Sequence, residues 1–189
     1  MKTLFVDACV NRETSRTERL AQTLLKEIGG ASETVVLESL DLRPHKAEDL
    51  SRRELLARNG DFSGPDFDLG RQFAEAETVV LASPYWESSF NGMTKLYLEH
   101  VSQLGLTFRY DENGIPVGLT SVKKLYYVTT RGGDCSDEDD LGFLNVKAVA
   151  HMFGISDVRI VSAHGLDIVG NDVEMIMAEA EKSVRRIVK

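Results

Sequence analysis

Short runs of Val, Leu, Ile, Phe and Tyr alternate along this chain with longer stretches in which apolar residues return every three or four positions. Five of the short runs predict strands: Thr3 to Val6, Glu33 to Glu38, Thr78 to Ala82, Lys124 to Thr129 and Val158 to Ala163. Their apolar character is continuous rather than alternating, so both faces of each strand are expected to be covered. Between them the period is helical: Ser15 to Ile28, one or two helices within Ala47 to Ala76, Gly92 to Leu104, Asp139 to Phe153, and Asn171 to Val188. In the first helix Leu20, Leu24 and Ile28 form a stripe flanked by Ala21 and Leu25, and Gly29-Gly30 supply the stop. In the last, Asn171 reads as N-cap with Glu174 as its capping-box partner, and Lys182, Arg185 and Arg186 suit the dipole at the far end. This alternation predicts a three-layer α/β fold on a five-stranded parallel sheet, either in the order 2-1-3-4-5 or as a truncated dinucleotide-binding half. Either arrangement puts ligands at the carboxyl ends of the strands.

The 189 residues fit one domain, taken as residues 1–189, with no repeat or Pro/Gly/Ser linker to divide it. The segment Leu40 to Asp68 is long for a connection and is expected to cover one edge of the site. A formal net charge of −8 argues against nucleic acid and anionic membrane as partners. The apolar start is cut short by Asp7, too soon for a secretory signal, and a cytoplasmic location is expected. Cys9 and Cys135 form no CxxC or Cys/His cluster, so no metal is expected and both read as reduced thiols.

Three predicted strand ends carry candidate chemistry. After the first strand, Asp7-Ala8-Cys9-Val10-Asn11-Arg12-Glu13-Thr14-Ser15-Arg16-Thr17 runs straight into a helix, whose free N–H groups and dipole suit an anion, with hydroxyls of Ser15 and Thr17 as further donors. A plain helix cap by Thr14 or Ser15 reads equally from the same residues. The loop has neither GxxxxGK[ST] nor GxGxxG, which disfavours ATP and a dinucleotide pyrophosphate. After the third strand, Ser83-Pro84-Tyr85-Trp86-Glu87-Ser88-Ser89-Phe90-Asn91 offers rings and backbone amides for a flat heteroaromatic ligand, or a plug for the sheet end or a subunit contact. After the fourth, Thr130-Arg131-Gly132-Gly133 allows close backbone approach, or simply turns the chain. A phosphate seat, a flat ring and donors for negative charge together describe FMN.

At these loops the chain resembles the FMN-dependent NADH:quinone oxidoreductase and azoreductase family, which is similar to the wider NAD(P)H quinone reductases on the flavodoxin-like fold. The likeness is carried by Leu106-Thr107-Phe108-Arg109-Tyr110-Asp111-Glu112-Asn113-Gly114, then Gly118-Leu119, Lys123-Lys124 and Thr130-Arg131-Gly132-Gly133, which match in order and spacing, and it extends over nearly the whole chain. The resemblance implies a flavodoxin-like fold with strand order 2-1-3-4-5. It implies cofactor binding by Ser15, Arg16 and Thr17 at the phosphate, by Pro84, Tyr85, Trp86, Glu87 and Ser88 along the isoalloxazine, and by Thr130, Arg131, Gly132 and Gly133 at its pyrimidine side. It further implies a homodimer, with Asn91 to Lys95 leading into the interface and Phe108 and Tyr110 packing on a partner subunit or touching substrate.

The implied reaction passes two electrons from NADH or NADPH through FMN to a small aromatic acceptor, a quinone, azo or nitro compound, in ping-pong order. Catalysis needs no side-chain nucleophile; His164, at the end of the last strand, is the one residue expected to donate a proton. Where the family's azoreductases usually read Met-Tyr-Asn-Phe after the proline, this chain has Tyr85-Trp86-Glu87-Ser88, and a Glu87 side chain facing the ring would disfavour its reduced anion. The alternatives are a general NAD(P)H-dependent flavin or nitro-compound reductase, or a flavodoxin-type FMN electron carrier. The Leu40 to Asp68 and Phe108 to Gly118 segments favour an enclosed enzyme site over a carrier's exposed flavin edge.

Overall fold

The computed structural model describes residues 2–189. In chain order the elements are β1 (Thr3–Asp7), α1 (Arg16–Ile28), β2 (Ser32–Val36), α2 (Ala47–Arg58), α3 (Asp68–Glu75), β3 (Thr78–Ala82), the hairpin β4 (Tyr85–Trp86) and β5 (Ser89–Phe90), and α4 (Gly92–Val101). The hairpin β6 (Phe108–Tyr110) and β7 (Pro116–Gly118), then β8 (Lys124–Thr130), α5 (Leu141–Met152), β9 (Asp157–Ala163) and α6 (Val173–Val188) complete it. Five strands pair in parallel in the order β2-β1-β3-β8-β9, which is the flavodoxin-like arrangement.

Each central strand splits its residues between two cores, as the continuous apolar runs predict. Leu4, Val6, Val79, Leu81, Leu125 and Tyr127 face one layer, with Phe73 of α3, Leu98 of α4 and Val146 of α5. Phe5, Val80, Tyr126 and Val128 face the other, with Leu20 and Leu24 of α1 and Met177 and Val184 of α6. Alternation of side chains along a pleated strand makes this division automatic. The register aligns Asp7, Ala82 and Val128 in one row, so the segments after β1, β3 and β8 emerge side by side.

Several boundaries differ from the sequence pattern for local reasons. β2 stops at Val36 because its sole neighbour β1 ends at the paired Asp7; a 3-10 turn, Leu37–Ser39, then turns Leu37 inward. α4 ends at Val101 rather than Leu104, because the Thr107 hydroxyl donates to the Val101 carbonyl at 2.9 Å and accepts the Gln103 N–H at 3.0 Å. The N-cap of α6 is Asp172, accepting the Met175 N–H at 3.0 Å, and not Asn171, whose side chain donates to the Gly165 carbonyl at 2.8 Å. Glu174 pairs instead with Arg19 of α1 at 2.8 Å.

The long segment after β2 holds α2 and a second 3-10 turn, Pro65–Phe67. It is anchored by buried Arg53, which donates to Gln103 Oε1 and to the carbonyls of Asp66 and His100. Phe108 is largely buried within the chain, with its ring 6.2 Å from Phe153, while Tyr110 is exposed. Among the described residues no helix is long and apolar enough to cross a membrane.

Candidate functional site

β1 delivers Asp7 to the carboxyl edge of the sheet, where it is fully buried. One carboxylate oxygen accepts the Cys9 N–H at 2.9 Å, and the other meets Arg12 Nε at 2.5 Å. The same guanidinium lies 3.7 Å from Glu18. Ser15 caps α1: its oxygen accepts the Glu18 N–H at 3.2 Å, and its hydroxyl lies beside the Cys9 thiol. The N–H groups of Arg16 and Thr17, in the first turn, find no internal acceptor among the described residues. Burial, reinforced by Asp7, holds the Glu18 carboxyl above its ordinary range and raises the Cys9 thiol strongly, so that Cys9 is an inert SH.

The structure assigns the Thr17 hydroxyl elsewhere than expected. It is buried and lies 2.6 Å from the Thr130 hydroxyl, which joins the start of α1 to the end of β8. Thr17 therefore presents a ligand with its N–H alone. Arg16 reaches Asp167 at 2.8 Å, tying the same turn to the segment after β9.

Beyond β3 the chain is pinned at Ser83, whose N–H donates to the Val128 carbonyl at 3.0 Å and whose oxygen lies 2.8 Å from the Thr94 hydroxyl. Asn91 caps α4 and donates to the Ala8 carbonyl at 2.7 Å, so the first and second loops are bolted together. Pro84 leads into the β4–β5 hairpin, and Glu87 and Ser88 form its turn with φ of +48° and +64°. Trp86 is 50% exposed, Tyr85 is half-buried, and the Glu87 side chain is exposed. The Tyr85 hydroxyl sits 3.5 Å from Cys135 Sγ, so the hairpin touches the third loop as well.

Arg131 is the surprise of that third loop, for its side chain is wholly buried. It donates to the carbonyls of Cys135 and Ser136, at 2.8 Å each, and pairs with Asp137, clamping its own loop from within. Its backbone N–H is spent on the Ala163 carbonyl. A Cβ at Gly132 would displace the exposed Asp167 side chain, whereas the space beside Gly133 is open. Both glycine carbonyls hold the segment after β9, by accepting from Asp167 and Gly165. His164 Nδ1 meets Asp134 at 3.1 Å, both exposed, beside a groove of about 800 Å³ that runs along α6 past Ile168 and Met175.

The donor set suits a phosphate monoester: two unspent N–H groups, the Ser15 hydroxyl and the Arg12 guanidinium all belong to the loop and first turn at the start of α1. An exposed indole and the open side of Gly133 suit a flat ring. The residues thus fit FMN, and the departure is local: two carboxylates, Asp7 and Glu18, stand at the seat of the phosphate. Their ligand atoms and Cys9 Sγ lie within 4.8 Å of one another, but Arg12 already occupies the carboxylates. Arg12 carried no signal of its own in the sequence, because only folding shows which of Arg12 and Arg16 turns toward Asp7. A separate cavity of about 350 Å³ at α2 lies away from these loops, and its Arg43, Arg52, Asp49 and Asp66 satisfy one another.

Residues 1–188 match the model of the flavodoxin-like fold family. The chain is 32% identical, over all of its own length and 98% of the relative's, to an FMN-dependent NADH:quinone oxidoreductase of Coprothermobacter proteolyticus. Among solved structures it superposes on an azoreductase from Bacillus anthracis with a TM-score of 0.84 at 22% identity, covering 100% of this chain and 98% of that one. It also superposes on an FMN-dependent NADH-azoreductase from Bacillus anthracis in complex with FMN, with a TM-score of 0.81 at 20% identity over 99% and 97% of the two chains.

Proposed function

Because the chain belongs to the flavodoxin-like fold family and to the FMN-dependent NADH:quinone oxidoreductases within it, we propose that it binds FMN and passes two electrons from NADH to a quinone or azo acceptor. Bound FMN supplies the redox chemistry. The observation that carries the reading is the meeting of three loops in one row, sealed by the Thr17–Thr130 contact of 2.6 Å and the Asn91 bond to Ala8. The first loop, the hairpin and the glycine loop are thereby held at fixed spacing, as a phosphate seat and a ring site require.

In this reading Ser15, Arg16 and Thr17 take the phosphate, Arg16 and Thr17 through their N–H groups. Pro84, Tyr85, Trp86, Glu87 and Ser88 line the isoalloxazine, chiefly with backbone. Thr130, Gly132 and Gly133 meet the pyrimidine side, while Arg131 acts only by shaping their loop. His164, oriented by Asp134, holds a proton near the open side of Gly133 and can give it to the acceptor. With FMN held by these residues, donor and acceptor would share one site in turn, which would make the kinetics ping-pong, with NADPH as a second donor. The working unit is a homodimer in the cytoplasm, the residues 1–189 forming one domain.

The test is an anaerobic spectrum of the FMN-supplemented protein, before and after NADH and then a quinone. The flavin band is expected to bleach in one two-electron step and to return with the quinone. Failure to hold FMN would remove the reading, and bound FMN that neither NADH nor NADPH reduces would reassign the chain to electron carriage.

A further inference from the structure

The most unusual feature of the phosphate seat is a buried carboxylate where an anion is expected to dock. Asp7 is fully buried, and Arg12 closes over it at 2.5 Å. A guanidinium carries five N–H donors; Arg12 lies within ion-pair distance of Asp7 through Nε and 3.7 Å from Glu18 through Nη2. It donates no hydrogen bond to either carboxylate among the described residues, and its side chain is 41% exposed. The neighbouring charges are otherwise committed, with Arg16 on Asp167 and Glu18 accepting from Gln22. Of the two basic side chains beside the Ser15, Arg16 and Thr17 donors, Arg16 is drawn to Asp167 after β9, whereas Arg12 lies over the two carboxylates at the start of α1.

We propose that Arg12, held over the start of α1 by Asp7, is the residue that makes this site select a phosphorylated flavin over the same flavin without its phosphate. Arg12 is a binding residue in this scheme, and Asp7 a positioning residue that acts through it. The buried carboxylate does two things at once. By accepting the Cys9 N–H it bends the loop, and by charge it draws the Arg12 guanidinium over the start of α1, leaving the guanidinium's N–H groups for a phosphate. Without Arg12, Asp7 and Glu18 would face the phosphate directly and repel it. The inference rests on the FMN reading above and adds the source of its specificity.

The experiment measures dissociation constants for FMN and for riboflavin, by quenching of flavin fluorescence, in the wild-type chain and in Arg12→Ala, Arg12→Lys and Asp7→Asn. Wild type is expected to prefer FMN. Arg12→Ala is expected to weaken FMN about 10- to 100-fold, the range of a charge-assisted contact, and to leave riboflavin within about threefold. Arg12→Lys, which keeps the charge but not the fork, should fall between. Asp7→Asn still accepts the Cys9 N–H and should also lose FMN selectively. Equal losses for the two flavins would mean that the variants only damage the loop, and an unchanged preference in Arg12→Ala would show that the helix N-terminus suffices; each overturns the proposal while FMN binding stands. A wild-type chain that binds neither flavin would overturn the FMN reading and the proposal with it.

Discussion

Glu87 stands at φ +48° in the β4–β5 turn, a conformation that Asn or Gly adopts with less strain than a longer side chain does. Since the Glu87 side chain is exposed, Glu87→Asn is expected to raise the stability of the flavin-free chain by roughly 1 kcal/mol. An unmoved urea midpoint would show that the turn is relaxed with glutamate. Thr17 shows the limit from the other side: its hydroxyl is expected at a ligand, yet it is spent on Thr130. Gly132→Val is expected to weaken FMN retention by blocking close approach of the backbone to the ring, beyond swinging the exposed Asp167 side chain aside; undiminished flavin occupancy would count against that role.

At the scale of elements, α2 is held by charge rather than by an apolar stripe. Asp49 in its first turn accepts the Lys46 N–H at 3.0 Å and pairs with Arg43 at 2.8 Å and Arg52 at 3.3 Å. The bonds from Arg43, then the Lys46 N–H, hold its carboxyl well below the ordinary carboxylate range. A folded pKa below the unfolded one makes the contribution fully present above the unfolded value, near 4, and drains it as pH falls through the folded value. Asp49→Asn is therefore expected to lower the urea midpoint at pH 7, with the gap to wild type closing as pH drops below about 4. A gap that does not change with pH would assign Asp49 a role in shape alone. The β6–β7 hairpin is placed by a different device, close docking of Gly118 on the Phe153 carbonyl, where any Cβ would collide.

Across the whole molecule, the three candidate loops grow from strands that neighbour one another at the centre of the sheet, so a ligand bridging them binds only when the sheet is assembled. FMN at about 100 times its dissociation constant should then add about 2.7 kcal/mol to stability. For a chain of this size that corresponds to a rise of roughly 5–10 °C in the thermal midpoint. A flavin-loaded sample whose midpoint stays put would place the flavin on a surface that survives unfolding. The two cores on opposite faces share these same strands, and a single transition is the expected form of the melt.

The sequence by itself determined the layers. Continuous apolar runs in β1, β3 and β8 demand cover on both faces, helical stripes provide it, and right-handed crossovers leave few ways to arrange them. It also located the three loops, because each follows directly from where a strand must end. Only the tertiary structure decided what the side chains in those loops do. Thr17 could cap, bind or pack; Arg131 could reach outward or inward; Asp7 and Arg12 are five positions apart in a loop with no period. A hydroxyl or guanidinium goes to whichever partner folding brings within about 3 Å, and the partners here, Thr130, Asp137 and the buried end of β1, come from pairings that no local pattern records.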